Sequence, residues 1–139
     1  MSDTLHASAV SWQGRALLIM GASGAGKSDL ALALMALGCD LVGDDRLRLQ
    51  VVDGRLEVTP VATIAGLIEA RGIGILKADH VARARVVCVV DLDRTEQARL
   101  PQRHSITLMG CDLPLICRGE TPHWQAALLQ LLKAGWSER

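Results

Sequence analysis

The chain reads as an α/β domain, a P-loop mixed β-sheet with β-hairpins flanked by helices, and three stretches carry that reading. The apolar run Ala16 to Met20 leads into Gly21-Ala22-Ser23-Gly24-Ala25-Gly26-Lys27-Ser28 and then Asp29 to Leu37, the order strand, glycine loop, helix. Ala84 to Val90 is a second apolar run with the length and β-branched content of a buried strand. Between them, Asp53-Gly54 separates two alternating segments, Arg46 to Val52 and Arg55 to Thr59, as a tight hairpin turn does.

The remaining elements follow in chain order. Leu5 to Ser11 is expected as a strand carrying His6, with Trp12 to Arg15 as the turn into the strand before the glycine loop. The helix that starts at Lys27 should stop at Gly38, and Cys39 to Val42 is a short strand ending at Gly43-Asp44-Asp45. Pro60 to Gly66 is short, apolar and ambiguous. Glu69 to Gly74 reads as a loop with two flexible glycines, and Asp93 to Arg103 as an irregular, charged and mobile segment. Ile106 to Met109 and Leu115 to Cys117 are expected as short strands. A last helix runs to about Ala134, with Thr121 as cap, Pro122 in its first position, and Ala126, Leu128, Leu129, Leu131 and Leu132 on its buried face.

Composition narrows the class. A chain of 139 residues is one comfortable domain, taken as residues 1–139. Phe and Tyr are absent, so the core must be aliphatic. Fifteen basic and fifteen acidic residues balance, which gives no electrostatic footprint for nucleic acid or a membrane surface. The first residues lack the pattern of a secretory signal, so the cytoplasm is the expected location. Cys39, Cys88, Cys111 and Cys117 have no metal-ligand spacing and read as buried thiols.

The chemistry concentrates around Gly21 to Ser28. Glycines let successive backbone N–H groups curl inward, and the helix start adds unpaired donors and the positive end of its dipole. A polyphosphate fits that nest, with Lys27 on its terminal phosphates and the Ser28 hydroxyl on magnesium. Asp44 and Asp45 end the next strand, where a second magnesium contact and a base for an incoming hydroxyl belong. The competing reading is an Asp-rich turn in water. Glu69 could reach magnesium and Arg71 a transferring phosphoryl group, against a plain surface ion pair. His6 and Arg99 carry no catalytic signal of their own: a lone strand histidine and a solvated charge are the plain readings. The chain has no Asn, which excludes the N-K-x-D base-reading motif and the magnesium-binding Asn of eukaryotic-type protein kinases. A kinase or an ATPase remains.

Gly21 to Ser28 with Asp29-Leu30-Ala31-Leu32, then Leu41 to Asp45, then Glu69 to Ile75, resemble in order and spacing the catalytic-domain motifs of the HPr kinase/phosphorylase family. His6 stands where that family has a histidine before the phosphate loop, and Arg99-Leu100 where it has R-L-G. The resemblance implies a fold similar to the nucleotide domain of phosphoenolpyruvate carboxykinase and a homohexamer. It implies an enzyme that uses ATP and Mg2+ to phosphorylate a serine of HPr, a small phosphocarrier protein, and reverses this with phosphate, releasing pyrophosphate. By position, Lys27 contacts phosphates, Ser28 and Glu69 ligate magnesium, and Asp44 supports the metal. Asp45 would take the serine proton beside His6, with Arg71 near the transferred group and Arg99 in the R-L-G position. The chain departs from the pattern at Pro101, which replaces a glycine, and in Leu113 to Gly119, which keeps one proline and an Arg-Gly pair of a segment linked with dephosphorylation. It is expected to be a short form without the N-terminal domain, better equipped for the kinase direction. A small-metabolite kinase and a catalytically silent nucleotide-binding module are the alternatives.

Overall fold

The computed structural model describes residues 2–137. Its strands are β1 (Ser2–Leu5), β2 (Ser8–Trp12), β3 (Arg15–Met20), β4 (Asp40–Gly43), β5 (Leu47–Val52), β6 (Arg55–Pro60), β7 (Leu67–Ala70), β8 (Gly74–Lys77), β9 (Ala84–Thr95), β10 (His104–Leu108) and β11 (Cys111–Arg118). The α-helices are α1 (Lys27–Ala36) and α2 (Trp124–Ala134), with a single 3-10 turn over Ala62–Ile64. Nine strands form one mixed sheet in which β9 is the hub. It runs parallel to β3 on one side, and on the other pairs with β6 near its start and with β11 further along. β7 and β8 form a separate two-stranded sheet.

Three hairpins explain how so short a chain builds so many strands. Gln13-Gly14, Asp53-Gly54 and Met109-Gly110 each join two strands with both residues at positive φ, the turn geometry whose twist matches paired strands. The third departs from the expected strand Ile106 to Met109, since β10 ends at Leu108 and Met109 belongs to the turn.

Both faces of the central strands are buried, with alternate residues serving two cores. Leu17 and Ile19 of β3 meet Leu30, Ala31 and Leu34 of α1 and Leu128, Leu129 and Leu132 of α2. Ala16 and Leu18 face the opposite layer with Leu47, Leu49, Leu56, Val58 and Leu113. In β9 a bulge makes this work. Ala16 pairs with Val86 but Leu17 with Cys88, so Val87 has no counterpart and the strand's parity changes. Ala84 and Val86 therefore lie in one core while Cys88, Val90 and Leu92 lie in the other.

Several expected boundaries move. The Leu5–Ser11 strand is broken at His6, because β1 pairs with β5 whereas β2 pairs with β3 and β4, and the chain must bend to change partners. Glu69 to Gly74 is not a loop: Glu69 and Ala70 end β7, Gly74 opens β8, and residues 71–73 form the turn. Asp93, Arg94 and Thr95 continue β9, with irregular backbone only after them. β10 and β11 are longer than the short strands expected. Thr121 does not cap α2 with its side chain; His123 is the N-cap, and Thr121 contributes its carbonyl to the Trp124 N–H at 3.2 Å. Ala126 is exposed and Leu131 only half-buried, leaving Leu128, Leu129 and Leu132 as the buried face.

The first helix ends as its sequence requires. The Gly38 N–H donates to the Met35 carbonyl and the Cys39 N–H to the Leu34 carbonyl, both at 3.0 Å, the Schellman pattern that a residue at φ 114 permits. No described helix is long and apolar enough to cross a membrane.

Candidate active site

Strands β3, β9 and β11 are mutually parallel; Met20 and Cys117, at the ends of β3 and β11, both pair with Asp91, and β9 runs on to Thr95. The glycine loop leaves the sheet at that edge, where ligands of open α/β sheets are held. Lys27 folds over the loop, its ammonium donating to the carbonyls of Gly21 at 2.7 Å and Ala22 at 3.2 Å. These bonds hold the charge of Lys27 against the first residues of the loop.

Behind Ser28 lies the polar centre of the site. Asp44 is buried, and one of its carboxylate oxygens accepts the hydroxyls of Ser28 and Ser8, each at 2.7 Å. Its other oxygen accepts the Glu69 backbone N–H at 3.1 Å. A buried carboxylate is tolerable only with such donors. Ser8 belongs to the same strand face as Val10, on the helix side of β2, which is why its hydroxyl reaches the start of α1. Sequence reading overlooked it; its alternation with Val10 on a strand paired to β3 is the signal.

Asp45 sits one residue on, in a γ-turn: the Arg46 N–H donates to the Asp44 carbonyl at 2.8 Å while Asp45 has φ 69. That hand of γ-turn is rare and strained. Strain of this sort, held by the surrounding structure, concentrates at functional sites. It projects Asp45 out to solvent beside the cleft, with its N–H 3.4 Å from the Ser8 hydroxyl. Glu69 and Arg71 arrive from the β7–β8 hairpin. The chain after β8 docks along β4 through the Leu41 N–H to the Asp79 carbonyl at 3.1 Å and the Val81 N–H to the Leu41 carbonyl at 2.9 Å.

The result is a cleft of about 220 Å³ lined by Ser28, Asp45, Glu69, Arg71 and Lys27, with Ser23, Gly24 and Gly26 along its floor. His6 and Arg99 do not line it; His6 is exposed in the bend between β1 and β2, and Arg99 is exposed on the loop after β9. Among the described residues no three His, Cys, Asp or Glu side chains stand close enough to cage a metal. The donor set here, one hydroxyl and nearby carboxylates beside a phosphate nest, fits a magnesium ion that keeps waters and substrate oxygens as ligands.

Two more residues shape the loop, a role that the sequence does not assign to either. The carboxylate of Asp93 accepts the Ala22 N–H at 2.9 and 3.1 Å, fixing the rising limb. The Arg118 guanidinium donates to the Ala25 carbonyl on the descending limb and to the Leu92 carbonyl at 3.2 Å. Both are distant in sequence from what they hold. A carboxylate just past a buried strand that pairs with the pre-loop strand was the available clue.

The fold and this edge together define an α/β domain of the P-loop kinase-like class. Residues 1–99 match the family model described as HPr Serine kinase C-terminal domain. The HPr kinase/phosphorylase of Brevibacillus brevis is 32% identical over 128 residues, covering 83% of this chain and 41% of that protein. Those of Clostridium novyi and Clostridium kluyveri are 40% and 42% identical over 72 residues, covering 52% of this chain and 24% and 23% of theirs. A solved structure, the HPr(Ser) kinase/phosphatase from Coxiella burnetii, matches with a TM-score of 0.79 over 94% of this chain and 88% of that one. At 23% identity that likeness establishes the fold. The chain belongs to the HPr serine kinase C-terminal domain family. It spans between 23% and 41% of the length of these curated relatives.

Proposed function

We propose that this chain is an ATP- and Mg2+-dependent protein serine kinase whose substrate is an HPr-type phosphocarrier protein. The observation that carries the reading is the convergence of carboxylates on the first turn of α1: Asp44 behind Ser28 at 2.7 Å, with Asp45 and Glu69 lining the same cleft. A nucleotide binder needs the loop; phosphoryl transfer needs a base and a charge clamp as well.

In this scheme Lys27 and the loop N–H groups hold the phosphates, Arg71 neutralises charge on the transferring group, and Ser28 and Glu69 would hold magnesium. A magnesium ion held there would neutralise negative charge on the phosphates during transfer. Asp45 accepts the proton of the substrate serine hydroxyl as its oxygen bonds to the γ-phosphorus. The bond to the β-phosphate oxygen breaks, and ADP leaves with that electron pair. In the reverse direction inorganic phosphate attacks phosphoserine, Asp45 returns the proton to the departing serine oxygen, and pyrophosphate forms. His6 and Arg99, implicated by the family pattern, lie outside the cleft and are given no step. A homohexamer and a cytoplasmic location complete the proposal on family grounds.

The test is incubation with γ-labelled ATP, magnesium and HPr from the same source. Label on an HPr serine is expected. Label confined to small molecules, or no transfer at all, overturns the reading.

A further inference from the structure

The phosphate loop has a second cleft on its other side. It encloses about 210 Å³ and is lined by Gly26, Asp29, Arg118, Gly119, Trp124 and Gln125 among others. Gly26 and Asp29 also line the carboxylate-bearing cleft, so the two clefts adjoin at the start of α1. In the scheme proposed above the terminal phosphate lies toward Ser28, Asp45 and Glu69, which would leave the other end of a triphosphate on the Gly26 and Asp29 side, facing this second cleft.

We infer that this second cleft holds the nucleoside portion of the nucleotide, with the indole of Trp124 as the stacking surface for the base. The inference rests on the proposal that the loop binds ATP. The location agrees with the sheet: the glycine loop follows β3 and Arg118 closes β11 at the same end of the parallel strands. The chemistry agrees as well. Trp124 is half-buried, packing against the helix-side core while still lining the cleft, so its ring is held in place before a ligand arrives. Gly119 lies directly beneath it, and a Cβ there would collide with the ring's Cδ1 and Nε1. Arg118 is engaged by the Ala25 and Leu92 carbonyls and forms the wall. Gln125 offers an amide that can donate to or accept from a base edge or a ribose hydroxyl. An aromatic face with one adaptable amide suits a nucleobase more than a further anion.

The experiment compares ATP with inorganic tripolyphosphate on the whole chain carrying Trp12→Phe and Trp136→Phe, so that Trp124 alone reports. ATP and ADP are expected to quench Trp124 emission, whereas tripolyphosphate binds without quenching. Trp124→Leu should weaken ATP roughly tenfold, the scale of one lost base–aromatic stack, and leave tripolyphosphate affinity unchanged. Trp124→Phe should keep most of the ATP affinity. Equal weakening of both ligands by Trp124→Leu, or wild-type affinity no higher for ATP than for tripolyphosphate, overturns the base site while leaving the phosphate loop intact. Binding of neither ligand overturns the ATP reading and the base site with it.

Discussion

Asp44 accepts the Ser28 hydroxyl at 2.7 Å, and this bond links the end of β4 to the first turn of α1. Because Ser8 and the Glu69 N–H converge on the same carboxylate, one side chain joins β2, β4, α1 and β7. Asp44→Ala should deprive three donors of their acceptor at a buried position and cost on the order of 3 kcal/mol, read as a lower urea midpoint. Asp44→Asn keeps the shape and one carbonyl oxygen, so it should fold and fail in magnesium-dependent transfer. An alanine variant as stable as the wild type would remove Asp44 from its structural role.

Asp45 separates binding from chemistry. Asn tolerates the left-handed backbone that Asp45 adopts at φ 69, so Asp45→Asn should fold with ATP affinity preserved. Loss of a positioned general base should lower turnover by roughly 10²–10⁴-fold. Single-turnover transfer from ATP to HPr serine measures it directly. Unchanged turnover would mean that another group takes the proton.

The two limbs of the loop make a third test. Asp93→Ala frees the Ala22 N–H, whose acceptor it is at 2.9 Å, and lets the rising limb move. Faster hydrogen exchange at Ala22 and a higher KM for ATP are expected, with kcat changed less than KM. Asp93→Asn retains a carbonyl acceptor and should restore most of the affinity. If exchange at Ala22 is unaffected, Asp93 does not set the shape of the loop.

What was legible in the sequence was local. Gly21 to Ser28 between an apolar strand and helix, Gly38 as a helix stop and Asp53-Gly54 as a hairpin all depend on neighbours a few residues apart, and all appear in the fold. The position of the Asp44-Asp45 pair at a strand end was legible because the short apolar run Cys39 to Val42 stops just before it, and β4 does end at Gly43. The misses depend on partners far along the chain. The break at His6 follows from β1 pairing with β5, over forty positions away in register. The β7–β8 hairpin was hidden because Gly72 and Gly74, read as hinges, serve its turn and the start of its second strand. Asp93 and Arg118 act on residues 71 and 93 positions distant. Charged side chains on the outward end of β9 disguised its last turn of pairing as loop.

Cys88 supplies a prediction about pH that is independent of the active site. It lies under α2 in the helix-side core, and burial pushes its thiol up to about 12 from 9.0, with the positive charge of Arg15 opposing only in part. Above pH 9.0 the unfolded chain releases this proton and the folded chain keeps it. The folded state then binds more protons, so stability must fall as pH rises through this window, by up to about 1.4 kcal/mol per unit from this group. Below the window the thiol is protonated in both states and contributes no slope. Cys88→Ala removes the group, at the cost of a small cavity. The stability advantage of the wild type over Cys88→Ala should therefore be constant near neutral pH and shrink steadily as the buffer is taken above pH 9.0. Urea unfolding of both proteins across that range reads the difference, which cancels the titration of every other group they share. A difference that stays flat would mean that water or local opening reaches Cys88 in the folded chain.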